Sequence, residues 1–214
     1  MSKKNIKPNK LQVFLLGLSI VALILSAIQP LSPFAWIGQA TSAVLLVGVL
    51  VGTYHKFQFS NFAYIMVFLH VVILLYGAHY TYSQNPLFHY LRELFSWQRN
   101  YYDRVGHFVQ GFVPAFLLKE LYLKGGYVKK GGMFFFIVII SCLGLSAGYE
   151  ISEFLIIKIL NVPAESVMGM QGDFFDSHWD MLWALIGAMT SVFIFGNFHD
   201  KQMEKKWGEE EGGN

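Results

Sequence analysis

Residues 104–123 read RVGHFVQGFVPAFLLKELYL, and whether this stretch crosses a membrane decides the fold. Its strongly apolar part runs only from Phe108 to Leu118 and is broken by Gln110 and Pro114. Taken alone, the stretch fits a surface-lying helix as well as a span. Its neighbours decide. On the C-terminal side, Gly132–Gly148 is an uncharged apolar run that continues into Tyr149, Glu150 and Glu153, and Met181–Phe198 is another that follows Asp180. On the N-terminal side lie Leu11–Ile28, Phe34–Tyr54 and Phe62–Tyr80, the last apolar apart from His70 and His79. Each is long enough, at about 1.5 Å per residue, to cross a hydrocarbon core of about 30 Å. Only a helix satisfies its own backbone groups there. Counting residues 104–123 as a sixth crossing puts both termini on one side.

Charge supports that count. With the N-terminus in the cytoplasm, the inner segments carry Lys3, Lys4, Lys7, Lys10, Lys56, Lys119, Lys124, Lys129, Lys130, Lys201, Lys205 and Lys206. The outer segments carry Arg92, Arg99, Arg104 and Lys158, so the 16 basic residues divide with the bias expected of cytoplasmic loops. Without the sixth crossing, Lys129 and Lys130 would lie outside. Leu11–Ile28 is long for the core of a cleaved leader, and Leu25-Ser26-Ala27 is a poor cleavage site, so it reads as a retained span.

Composition narrows the class. Among 214 residues, 54% are hydrophobic, 17% aromatic and 14% charged. Soluble domains carry about 25% charge. These values argue against a soluble enzyme, a disordered chain and a nucleic-acid partner, since a net charge of +2 builds no phosphate-tracking groove. One cysteine, Cys142, excludes a disulfide framework and a thiolate zinc site. The expected fold is an all-α bundle, one integral membrane domain over residues 1–214, with spans near 11–28, 34–54, 62–80, 104–123, 132–153 and 180–198. Short loops near 29–33 and 55–61 make the first three spans neighbours. Leu87–Trp97 reads as an amphipathic helix at the outer interface. Glu209–Asn214 reads as a solvated tail, and no internal repeat is visible.

The polar residues gather on one side. Asp103, His107, Gln110 and Pro114, spaced by four, three and four, share one helix face. Ser146, Glu150 and Glu153 share another. Asp173, Asp176 and Asp180 form an acidic edge at the start of the last span, where the helix dipole favours negative charge. Pro114 cannot donate to the Gln110 carbonyl and frees an acceptor. Gly172 supplies a turn, and Gly144 with Gly148 suggests close helix approach. Charged residues near a span centre cost about 2.5–3.5 kcal/mol on insertion scales, so such a set is expected to face inward.

Three blocks resemble the YjdF-like family of bacterial inner-membrane proteins. They are Arg99-Asn100-Tyr101-Tyr102-Asp103-Arg104-Val105-Gly106-His107-Phe108-Val109-Gln110-Gly111-Phe112, Gly148-Tyr149-Glu150, and Gln171-Gly172-Asp173-Phe174-Phe175-Asp176-Ser177-His178-Trp179-Asp180-Met181. The resemblance covers roughly residues 60–200 and implies a multi-pass protein of the bacterial inner membrane, with no activity attached. The Asp…His helix followed by an acidic helix start is also distantly similar to VanZ-type membrane proteins, from which no function is carried over.

Three functions compete. In the first, Asp103, His107, Glu150, Asp173, Asp176 and Asp180 hold a divalent metal ion such as Mn²⁺, Mg²⁺, Zn²⁺ or Fe²⁺. His107 or Glu150 is then the general base, with Arg99, Arg104, Gln110 and Gln171 on a lipid-linked or isoprenoid phosphate. In the second, His70, His107 and Glu150 belong to a proton-coupled carrier. In the third, the polar groups are interhelical ion pairs and caps. The bilayer is the one partner all three share, and the sequence leaves oligomeric state open. The bland readings make His70 a hydrogen-bonded bundle histidine, leave His55, His89 and His199 exposed, and make Cys142 inert. Trp36, Trp97, Trp179 and Trp207 become interfacial anchors, and Gly48 and Gly52 serve helix packing.

Overall fold

The computed structural model describes residues 9–212, and Gly213 and Asn214, like the lysines before residue 9, lie outside the described residues. Local signals start most helices. Asn9 caps α1 (Lys10–Ser26) in a reciprocal box with Gln12. Ser32 followed by Pro33 starts α2 (Pro33–Thr53), and Ser60 starts α3 (Asn61–Tyr80). Asn85 with Pro86 starts the short α4 (Pro86–Leu94), none of whose residues is buried. Then come α5 (Tyr102–Lys124), α6 (Gly132–Leu160), the one-turn α7 (Glu165–Met168), α8 (Asp176–Met189) and α9 (Gly196–Gly212).

The chain is thus all-helical among the described residues. Helices α2, α3 and α6 are each long and apolar enough to cross a membrane. A fourth crossing is counted only if α8, with its π-helical extension Thr190–Ile194, and α9 form one span despite the 65° bend between them. Helix α1 is a shorter apolar helix of 17 residues.

Several expectations are corrected. Helix α6 does not stop near residue 153 but continues to Leu160, so Glu150 and Glu153 lie within its body. The last apolar helix starts at Asp176 rather than 180 and breaks at Phe195 rather than running straight to 198. The described part of the tail, to Gly212, is helical. Helices α1 and α2 both pack on α3. A Cβ added at Gly144, Gly148, Gly48 or Gly52 meets nothing within 4 Å, so these glycines mediate no helix contact among the described residues of the chain. The close approach is elsewhere. A Cβ on Gly111 of α5 would lie 1.8 Å from the Ala184 carbonyl oxygen of α8, and one on Gly187 would lie 2.0 Å from that of Phe108. The two backbones touch through these positions.

The opposite end of α5 holds a buried network that composition gave no hint of. Glu120, fully buried, accepts from the Ser60 backbone N–H (2.7 Å) and hydroxyl (2.5 Å), and its Oε1 lies 2.8 Å from His199 Nε2. His199 is therefore buried, not exposed: the bend after Phe195 turns the start of α9 back over α5. Lys119 Nζ donates to the Gly196 carbonyl at 2.9 Å and pairs with Asp200 at 2.7 Å, fastening that bend. Lys119→Met should destabilise the fold by about 2 kcal/mol, the loss of charge-assisted hydrogen bonds. A thiol-reactive dye that reports exposure of buried Cys142 on heating reads this as an earlier melt.

Candidate functional site

At the end of the bundle where α3 finishes and α5 begins, a cavity of about 490 Å³ opens between α2, α3, α5 and α6. The α5 face read from the sequence is its wall: Asp103, His107, Gln110 and Pro114 all line it. Asp180 joins them from α8, and Tyr149 and Glu153 from α6. Helix α7 and residues 81–84 form the rim. Tyr82 on that rim lies over two glycines, since a Cβ on Gly77 or Gly106 would come within 2.8 or 2.9 Å of its ring. Burial pushes the Tyr82 phenol well above its ordinary pKa, so it stays a neutral donor.

The centre of the polar wall is His107. Its Nε2 lies 3.5 Å from Asp103 Oδ1, 3.6 Å from Asp180 Oδ1 and 3.7 Å from Glu150 Oε1, which come from three helices. These distances exceed a good N–H···O hydrogen bond. His107 Nδ1 and Glu150 Oε1 have no hydrogen-bond partner. Ligand atoms of Asp103, His107 and Asp180 lie within 4.8 Å of one another, all three residues buried, so this group could hold a metal.

The two arginines are committed elsewhere. Arg104 donates to Asp180 and, at 2.6 Å, to Asp176, and also meets Asp103 at 3.4 Å and Asp173 at 3.6 Å. Arg99 pairs with Asp176 at 2.8 Å and Asp173 at 3.2 Å. Neither arginine lines the cavity; both bind the acidic edge of α8 to the start of α5. Gln171 exchanges two 2.9 Å hydrogen bonds with the Asn100 backbone and fastens the loop before α8 to the loop before α5. The positive φ at Gln171 and Gly172 allows that turn.

The charges do not balance. Asp103, Glu150, Asp176 and Asp180 are buried carboxylates, opposed by the buried Arg99 and Arg104. The excess of two must be met by protons, by a charged His107 or by a cation.

Sequence reasoning missed part of the cavity: helix α2 contributes Gln39 and Ser42. His70, which the sequence did single out, lines it from α3. His70 is buried, but its Nδ1 has no partner, contrary to the hydrogen-bonded histidine expected of it. Asn85 and Asn100 are fully buried and joined by an Asn100 side-chain bond to the Asn85 carbonyl. Asn85-Pro86 as a helix start was a readable signal for the first.

Helices of membrane-crossing length, an excess of buried carboxylate around one histidine and a cavity beside it define a multi-pass membrane protein with a polar chamber at one end. A family described as "Predicted membrane protein (DUF2238)" matches residues 11–201. The chain is 33% identical over 202 residues to the inner membrane protein YjdF of Escherichia coli strain K12, covering 94% of this chain and 96% of that protein. The chain belongs to this YjdF-like family of inner-membrane proteins. No solved structure matches it.

Proposed function

We propose that the chain crosses the inner membrane six times with both termini in the cytoplasm, and that its chamber faces the periplasm and holds a divalent metal ion. Asp103, His107 and Asp180 are the ligands, and Glu150 is the fourth ligand or the general base. The reaction class is hydrolysis or transfer at a lipid or isoprenoid phosphate.

One observation carries this reading: three carboxylate oxygens from three helices stand 3.5–3.7 Å from His107 Nε2. Donors about 2.1 Å from a tetrahedral ion lie about 3.4 Å from each other, close to the three distances at His107, and the ligand atoms of Asp103, His107 and Asp180 lie within 4.8 Å of one another. A dication also cancels the two excess negative charges. Oxygen donors with one imidazole suit Mn²⁺, Mg²⁺, Zn²⁺ or Fe²⁺. Such an ion supplies a Lewis acid for a phosphate oxygen or an activated water. With Arg99 and Arg104 engaged by Asp173 and Asp176, the phosphate's charge falls to the ion, and Gln110 is the polar side chain left on the wall to orient it.

The test is Mn²⁺ binding to purified full-length protein, read by electron paramagnetic resonance, and melting with and without EDTA. Stoichiometric Mn²⁺, a lower melting temperature in EDTA, and affinity reduced at least about tenfold in Glu150→Gln are expected. The structural reading predicts otherwise for that variant: as a partner of His107 across two helices, Glu150 contributes only to stability, so Glu150→Gln lowers the melting temperature equally with and without EDTA. That outcome, with no Mn²⁺ bound, sinks the proposal. Proton-coupled transport gains support from His70 near the chamber's deep end and from Glu120 with His199 at the other end of α5. It requires Glu120→Gln to abolish proton uptake in liposomes while the protein still melts cooperatively.

A further inference from the structure

The chamber extends well below its charged rim. Ser32, Ala35, Gln39, Ser42 and Leu46 line it from one face of α2, a run that rises about 20 Å along the helix. Beside and below the charged shell the lining is uncharged but polar: Gln39 and Ser42 from α2, His70 from α3 and Gln110 from α5. Two atoms there, Gln39 Oε1 and His70 Nδ1, are buried without a partner. His70 is only 4% exposed. An amide and an imidazole offer both an acceptor and a donor. A hydroxyl answers both at once, and a plain hydrocarbon chain answers neither.

The chamber also has a side wall of distinct character. Helix α2 packs on α3 and meets α7, whereas α6 packs on α5 and α8. Between α2 and α6 the lining is Leu46 and Leu145 rather than a packed helix pair, and Leu145 is 52% exposed. With the chain in the bilayer as proposed above, this apolar slot opens toward acyl chains.

Depth fits the two features together. The ends of α3 and α5 are not level: Tyr102 at the start of α5 packs beside Gly77, and Phe116 meets Phe62. Counted from the first contact, His107 is level with residue 72 of α3 and His70 lies about 3 Å deeper, where a glycerol joined to a bound phosphate presents its oxygens. We infer that the chamber takes a hydroxyl-bearing glycerolipid phosphate from the outer leaflet, entering between α2 and α6, with its glycerol oxygens on Gln39 and His70. This rests on the reading of the Asp103–His107–Asp180 group as the phosphate end, and it selects against an isoprenoid phosphate, whose chain carries no oxygen beyond the phosphate.

Two single-chain monophosphates separate these cases: oleoyl lysophosphatidic acid, with a free glycerol hydroxyl and an ester, and farnesyl phosphate. Binding of each to full-length protein in detergent is measured from tryptophan fluorescence, with Mn²⁺ and with EDTA. The wild type should prefer lysophosphatidic acid about tenfold or more, the worth of one or two extra hydrogen bonds. Gln39→Leu, and the milder Ser42→Ala, should reduce that preference, and His70→Phe should remove it, all with Mn²⁺ affinity unchanged. Leu145→Trp, on the partly exposed slot wall, should weaken both lipids and spare Mn²⁺. Mn²⁺ binding with equal affinity for the two lipids, or with a preference that survives Gln39→Leu and Ser42→Ala, overturns the inference and leaves the metal reading standing. A preference that persists in protein that binds no Mn²⁺ overturns the metal reading and keeps the glycerol contacts at Gln39 and His70. Failure to bind either lipid overturns the inference outright.

Discussion

Arg104→Met should cost about 3–5 kcal/mol, the range for removing one partner from a buried ion cluster. Arg104 is 5% exposed and meets Asp103, Asp173, Asp176 and Asp180 with one guanidinium. Methionine fills much of the space but leaves three buried carboxylates facing Arg99 alone. The melting temperature, followed by dye labelling of Cys142, should fall on the order of 10 °C. Arg104→Lys should recover only part of that loss, because a point-like ammonium cannot span carboxylates on two helices as a planar fork does. Asp176→Asn should lose less than Arg104→Met, since it removes one acceptor and one excess negative charge together. A melt of Arg104→Met indistinguishable from wild type would mean that the carboxylates are neutralised without the arginine, by protons or by an ion alone. EDTA distinguishes these, because an ion-neutralised cluster loses stability on chelation and a protonated one does not.

The helices were legible because apolar runs and turn residues are local. Asn9, Ser32, Ser60 and Asn85 cap helices in the places their side-chain chemistry suits. The wall of the chamber was legible on α5 because the spacing from Asp103 to Pro114 is itself a helix face. What each group pairs with was not legible. Arg99 and Arg104 looked free to take a phosphate, yet Asp173 and Asp176, some 70 residues away in sequence, occupy them. His199 looked exposed because it follows the last apolar run, but a bend placed by Lys119 and Gly196 folds it onto Glu120, 79 residues earlier. Gln39 and Ser42 lie in an otherwise apolar helix, where two small polar residues carry no pattern. In each case the missing information was a long-range contact, and no local periodicity encodes which residue waits at the other end.

The glycines show the same division, and they set the second large effect. Gly144 and Gly148 form the pattern a small-residue motif requires, and both face open space. Gly111 and Gly187 form no motif with each other in sequence, and yet they are where α5 and α8 meet backbone to backbone. Gly111→Ala should cost more than about 3 kcal/mol, at or beyond the upper end for overpacking, because the new methyl meets a carbonyl that cannot rotate away. Its Cβ would lie 1.8 Å from the Ala184 oxygen and 2.6 Å from its carbon. Relief requires α8 to move outward as a body. That movement draws Asp176 and Asp180 away from Arg104 and opens the shell around His107, so the variant should lose Mn²⁺ affinity although residue 111 touches no ligand atom. Gly144→Ala is the matched control: with nothing within 4 Å of its Cβ, it should be neutral or stabilise helix α6 by up to about 1 kcal/mol. If Gly111→Ala melts with the wild type while binding Mn²⁺ normally, α5 and α8 do not touch as described, and the position of Asp180 beside His107 fails with them.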